Sequence, residues 1–210
     1  MITKAQGYKI EKESAVVTRS KLSSMERGML TWVILDSGDK ILDMNLQDGL
    51  MLEYLARNME CEICGISNDM EGVKYARARL QNADILYASP EDIPWREDSF
   101  HAVFLYGWKM EEDEWEKVLK ETFRVMRPGG QLLLGAAHYP APLRQVARLF
   151  TKEATEMTGR PLVQKNDWMK ALEMAGYEQV TWQQVGFGNG IAIGWKPLKL
   201  GCEKEEEKTA

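Results

Sequence analysis

A chain of 210 residues with 44% hydrophobic content carries enough apolar side chain for one full core and lies within the usual size of a single domain. Its net charge of -5, with acidic and basic residues interspersed, provides no basic stripe for a phosphate backbone, so no nucleic-acid partner is expected. The segment Met1 to Lys9 has no apolar signal core, and no apolar run approaches the roughly 18 residues that span a bilayer, so the expectation is a soluble, cytoplasmic protein without a membrane partner.

Residues 1–23 lack periodicity and mix charge with Ser and Thr, as an N-terminal lead or a cap over a site would. From Ser24 the spacing of Met25, Met29, Leu30, Trp32 and Val33 predicts a helix, with Ser23 or Ser24 as N-cap, broken by Ser37-Gly38-Asp39. Lys40 to Met44 reads as a short strand, followed by a helix over Gly49 to Met59 with Leu50, Leu52, Leu55 and Ala56 in register. A second strand, Cys61 to Ser67, precedes a helix over Met70 to Gln81, and a third, Ala83 to Ala88, leads into the loop Pro90 to Ser99. The fourth strand is Phe100 to Tyr106. An amphipathic helix over Glu114 to Met126 then stops at Arg127-Pro128-Gly129-Gly130, before a fifth strand over Gln131 to Ala136.

Strands alternating with helices at this spacing predict a parallel sheet covered on both faces, and right-handed crossovers make it doubly wound. The C-terminal part differs: helices over Leu143 to Thr158 and Asn166 to Ala175 precede strands at Tyr177 to Val185 and Ile191 to Lys196. Their Gly-rich connection, Gly186 to Gly190, predicts an antiparallel hairpin at the sheet edge. The domain therefore covers residues 24–198, and the acidic tail 199–210, with Glu203, Glu205, Glu206 and Glu207, reads as disordered.

Cys61 and Cys64 form a CxxC without a second pair. Positions three apart in a strand point to opposite faces, so they read as strand cysteines and no metal site is assigned. The run Glu111 to Glu114 reads as a solvated helix start. Methionines at helical spacing, Met25 with Met29 and Met169 with Met174, read as core filling.

Four stretches carry a resemblance: Ile41-Leu42-Asp43-Met44-Asn45-Leu46-Gln47-Asp48-Gly49, Cys64-Gly65-Ile66-Ser67, Ile93-Pro94-Trp95-Arg96-Glu97-Asp98-Ser99-Phe100, and Arg124-Val125-Met126-Arg127-Pro128-Gly129-Gly130. With them the chain resembles the class I S-adenosylmethionine (SAM) methyltransferases of the type 11 group, from Met25 to Pro197. The resemblance implies an α/β, Rossmann-like, doubly wound sheet of seven strands, mostly parallel with an antiparallel C-terminal strand. It also implies a SAM site. In the family the first strand ends in Asp-x-Gly-x-Gly-x-Gly. Here Asp43 and Gly49 are kept while Asn45 and Gln47 replace the first two glycines. Asn45 tolerates a left-handed turn, whereas the Gln47 side chain enters volume a cofactor would fill.

The acidic residue that binds the ribose in the family falls on Ser67, next to Asn68, with Asp69 as a neighbour able to reach in. Ser89-Pro90 replaces the Asp-Ala of the adenine pocket, and Phe100-His101 replaces a Phe-Asp. Structural positions such as Pro94, Arg124, Pro128 and Gly130 survive while contact positions change, which implies weak or absent SAM binding.

Ligands of an open α/β sheet sit at the carboxyl ends of the strands. That places Asn45 to Gly49, Ser67 to Asp69, Ser89 to Glu91, Leu105 to Trp108 and Ala137 to Tyr139 around one crevice. Leu105 and Tyr106 are thereby candidate cofactor contacts, and His138 and Tyr139 candidates for a base or a substrate hydrogen bond. Trp95, Tyr106 and Trp108 are aromatic candidates for stacking, with packing of Trp95 into its loop as the plainer reading. Two functions fit: methyl transfer from SAM to a small molecule, or a non-catalytic methyltransferase-fold protein that binds another ligand or serves a protein partner or scaffold.

Overall fold

Ser23 opens the first helix, α1 (Ser24–Trp32), with a reciprocal cap: its Oγ accepts from Glu26 N at 3.2 Å, and the Glu26 carboxylate accepts from Ser23 N at 2.7 Å. The computed structural model describes residues 18–44, 46, 49–107, 114–137, 164–185 and 189–198. After α1 the chain runs through β1 (Lys40–Asp43), α2 (Leu50–Asn58), β2 (Glu62–Ser67), α3 (Met70–Arg79), β3 (Asp84–Tyr87), β4 (Phe100–Tyr106) and α4 (Trp115–Val125). It continues as β5 (Met126–Ala137), α5 (Lys165–Met174), β6 (Glu178–Gln184) and β7 (Asn189–Trp195). The predicted helix at Leu143 to Thr158 lies outside the described residues.

The strands form one seven-stranded sheet in the order β3-β2-β1-β4-β5-β7-β6. β3, β2, β1, β4 and β5 are mutually parallel, and β7 alone runs against its neighbours β5 and β6. The expected doubly wound sheet with a reversed C-terminal strand is therefore what the chain builds. Two cores flank it. One gathers Met25 and Met29 of α1, Leu52 and Leu55 of α2 and Val73 of α3; the other gathers Leu119 and Val125 of α4 with Trp168 and Leu172 of α5. Cys61 belongs to the first core and Cys64 to the second, so the CxxC is divided between the two sheet faces.

Two sequence expectations are corrected. The Arg127–Gly130 segment does stop α4, but it is already strand: Met126 pairs with Phe100, and the register shifts before Ala102 meets Gln131. Gly129 has φ 77°, and a Cβ on Gly130 would lie 2.8 Å from the Arg127 carbonyl and 3.1 Å from that of Phe100, so this irregular strand requires both glycines. The second correction is Met174, which is 84% exposed. Trp168 and Leu172, four apart, take the buried stripe of α5, and a residue five positions after Met169 points about 140° away from it.

Candidate functional site

The strand order reverses between β1 and β4, whose carboxyl ends open the crevice where an α/β sheet binds ligands. Asp43 ends β1, 4% exposed, level with Gly65 of β2 and Phe104 of β4. Gly49 caps α2 in the left-handed conformation, φ 71° and ψ 8°, which a side chain resists and which accounts for the retained glycine. Leu46 turns back into the core, packing on Gly65 where any Cβ would collide with it. Asn45, Gln47 and Asp48 lie outside the described residues, as do Trp108, His138 and Tyr139.

At the end of β2 the Ser67 hydroxyl accepts from Asp69 N at 3.0 Å. The two Asp69 carboxylate oxygens accept from Glu71 N (3.1 Å) and Gly72 N (3.3 Å), capping α3. Asp69 is thus directed to its own helix and does not stand in for an acidic residue at Ser67. Asn68, between them, is exposed. Ala88 N donates to Ser67 O, so the end of β3 is tied to the same corner. Beyond it Ser89 Oγ accepts from Glu91 N at 3.2 Å, and Pro90 is half-buried.

The side chains at the end of β4 are core. Leu105 and Tyr106 are each 2% exposed and point into opposite cores, with the Tyr106 hydroxyl 3.9 Å from Met51 Sδ. Only their backbone is left to face the crevice. The next residue, Gly107, lies under Trp168: a Cβ there would come 2.6 Å from the Trp168 ring. Trp168 in turn stacks on Trp115, centroids 3.9 Å apart and planes 32° apart. This pair escaped the sequence reading because its members come from different helices; the signals for it were a glycine closing β4 and a tryptophan in the first turn of each helix.

The rim between β3 and β4 is held from α4. Arg124 donates from Nη1 to Trp95 O and from Nη2 to Ile93 O, both at 2.9 Å, while Glu121 accepts from Ile93 N at 3.0 Å. The hydrogen bonds between Glu121 and Arg124 lower the carboxyl's pKa and raise the guanidinium's. Trp95 packs edge-on against Phe100, centroids 5.4 Å apart, which is the plainer of its two expected roles.

His101 lies at the opposite, amino-terminal end of β4. Its Nδ1 accepts from Lys40 N at 3.0 Å, and its Nε2 lies 3.0 Å from Asp39 Oδ1 and also meets Arg127 Nη1. Among the described residues no group of three His, Cys, Asp or Glu side chains gathers as a metal site would require, and burial pushes Cys61 up to about 11 and Cys64 up to about 12.

A family model described as a methyltransferase domain matches residues 42–134, from within β1 to within β5, which include the corners at Asp43, Ser67, Ser89 and Leu105. Over 136 residues the chain is 31% identical to the 27-O-demethylrifamycin SV methyltransferase of Amycolatopsis mediterranei, covering 59% of this chain and 47% of that protein. Over 172 residues it is 25% identical to the ubiquinone/menaquinone biosynthesis C-methyltransferase UbiE of Brucella canis, covering 70% and 63%. The chain thus spans between about half and just under two-thirds of these curated relatives. Among solved structures, a geranyl diphosphate methyltransferase in complex with SAM superposes with a TM-score of 0.69 at 12% identity, over 84% of this chain and 86% of that one, a likeness of fold.

Proposed function

We propose that the chain is a class I SAM-dependent methyltransferase that moves the methyl group of SAM to a small-molecule acceptor at the carboxyl ends of β1, β2 and β4, a reading supported by the methyltransferase-domain match over residues 42–134. The observation that carries this reading is the corner at the strand-order switch, where Asp43 ends β1 and left-handed Gly49 starts α2 within the matched segment. The described residues fit a weakened SAM site, and Asn45, Gln47 and Ser89-Pro90 depart further from the family's pattern. Gly49 gives the backbone turn at the methionine end, while Ser67 offers one hydroxyl at the ribose where a carboxylate would offer two acceptor oxygens.

SAM supplies a methyl group on sulfonium sulfur, a carbon already activated for in-line displacement. What remains for the protein is to hold the acceptor in line and to remove its proton where it has one. His138 and Tyr139, which follow β5 in sequence, are our candidates for that proton or for a hydrogen bond to the acceptor. Asn45, Gln47, Asn68, Ser89 and Pro90 are proposed to border the cofactor, with backbone groups of Leu105 and Tyr106 beneath it.

Calorimetric titration with SAM and S-adenosylhomocysteine tests this reading. Saturable heat and a thermal shift with both ligands are expected. Their absence at saturating ligand would instead favour the non-catalytic alternative, a ligand-binding, partner or scaffold protein.

A further inference from the structure

The rim beyond Ser67 carries apolar surface open to solvent. Tyr87, which ends β3, is 56% exposed, and Met70, the first residue of α3, is 45% exposed. Single exposed apolar side chains are ordinary, whereas two together at the ligand-binding end of a sheet mark a contact surface. The strand register brings them together. Ser67 and Tyr87 are directly opposed across the parallel β2–β3 pair, as are Gly65 and Ile85 two residues earlier. A Cβ on Gly65 would meet Leu46 and Ile85 in the core beneath α3, so Ser67 and Tyr87, two positions on, present their side chains to that same face. On α3, Arg77 reaches over β3, its Nε donating to Ile85 O at 2.8 Å. Met70 precedes Arg77 by about two turns on the same helix stripe, and so overhangs the end of the strand. Ser67, Tyr87 and Met70 thus form one corner, a hydroxyl beside an open aromatic ring and a thioether.

We propose that the adenine of SAM stacks on the ring of Tyr87, with the Met70 thioether against the edge of the stack. This rests on the methyl-transfer reading above, which supplies SAM as the ligand and Ser67 as its ribose contact. Adenine is bonded directly to the ribose, so a base on a sugar held at Ser67 comes within about one strand spacing, roughly 5 Å, of Tyr87. Asn68, the exposed residue that follows Ser67, has no ring face to offer. A flat base on an aromatic ring gains offset stacking and covers apolar surface without a directed hydrogen bond. Tyr87 is in this account the residue that makes the site prefer an adenosyl group over the same ligand without its base.

The test titrates the full chain with S-adenosylhomocysteine and with S-ribosylhomocysteine, which keeps the ribose and the amino acid but lacks the base. Tyr87→Ala is expected to bind S-adenosylhomocysteine about three- to tenfold more weakly, as the loss of one stacked ring implies, with S-ribosylhomocysteine binding unchanged. Tyr87→Phe, which keeps the ring, is expected to bind both as the wild type does. Equal S-adenosylhomocysteine affinity in wild type and Tyr87→Ala overturns the proposal, and so does an equal loss for both ligands, which would assign Tyr87 to the build of the corner and not to the base. A second measurement needs no alanine variant. In the wild-type chain labelled with 13C at its tyrosine rings, the Tyr87 signals, assigned by their loss in Tyr87→Phe, are expected to move saturably with S-adenosylhomocysteine and to stay in place with S-ribosylhomocysteine; unmoved signals under saturating S-adenosylhomocysteine overturn the proposal. The two claims fail differently. S-adenosylhomocysteine binding without a Tyr87 response removes the stacking alone, whereas a wild-type chain that binds no S-adenosylhomocysteine removes the methyl-transfer reading and the stacking with it.

Discussion

Gln131 is joined to Trp32 across 99 positions of sequence, its Nε2 donating to the Trp32 carbonyl at 3.0 Å. The same side chain accepts from Ile34 N through Oε1, also at 3.0 Å, so one amide satisfies both backbone groups of the segment leaving α1. This accounts for a polar residue only 2% exposed in a strand whose next residues are Leu132, Leu133 and Leu134.

Gln131→Leu therefore leaves a backbone donor and a backbone acceptor unmet. A loss of about 2–4 kcal/mol is expected, from roughly 1–3 for each stranded group with partial relief by water. A lower urea midpoint at unchanged slope would show it. A midpoint equal to wild type would mean that the segment is held by other contacts.

Arg124→Lys keeps the charge but not the planar fork that reaches two carbonyls at once. The loop from Ile93 to Trp95 should exchange amide hydrogens faster, and stability should fall by about 1–2 kcal/mol, discounted because the Arg124 side chain is 36% exposed. Unchanged exchange in that loop would show that Glu121 alone holds it.

The buried thiols make stability fall at high pH. Below their ordinary value near 9, folded and unfolded chains both keep the thiols protonated, and this contribution is fully present. Above it the unfolded chain ionises while the folded chain resists until about 11 for Cys61 and about 12 for Cys64, so stability is lost across that interval. Tyr177, whose hydroxyl is raised chiefly by burial, adds in the same direction. Urea unfolding at pH 8 and pH 10.5 should show the decline, and Cys64→Ala should make it shallower; an equal decline in the variant would contradict this assignment.

Local pattern was enough for most elements, because glycine, proline and capping residues punctuate the strands and helices. β4 falls on Phe100–Tyr106 as its apolar run predicts, and α1 begins after Ser23, one of the two expected N-caps, with Ser24 the other. Local pattern misled at Arg127–Gly130, where Pro and two glycines marked only the helix stop and the fifth strand was expected from Gln131, although pairing of Met126 with β4 and of Gly129 and Gly130 with Lys196 starts a bulged strand at Met126. The candidate site was less legible for the same reason. The resemblance places Ser67 at the ribose position, but whether Asp69 could substitute for it depended on which amides its carboxylate met. The Trp115 and Trp168 pair exists only because α4 and α5 pack side by side.

In the proposed site the end of β2 holds the ribose of SAM, and Ser67 limits its grip. An Asp at position 67 would keep one oxygen for the Asp69 amide, as the serine hydroxyl does now, and present the other to the ribose. Calorimetric titration of wild type and Ser67→Asp with SAM tests this directly. A charge-assisted hydrogen bond contributes about 1.5–3 kcal/mol, so the variant is expected to bind SAM tighter by about one to two orders of magnitude. A correctly folded Ser67→Asp protein with no gain in SAM affinity would contradict it.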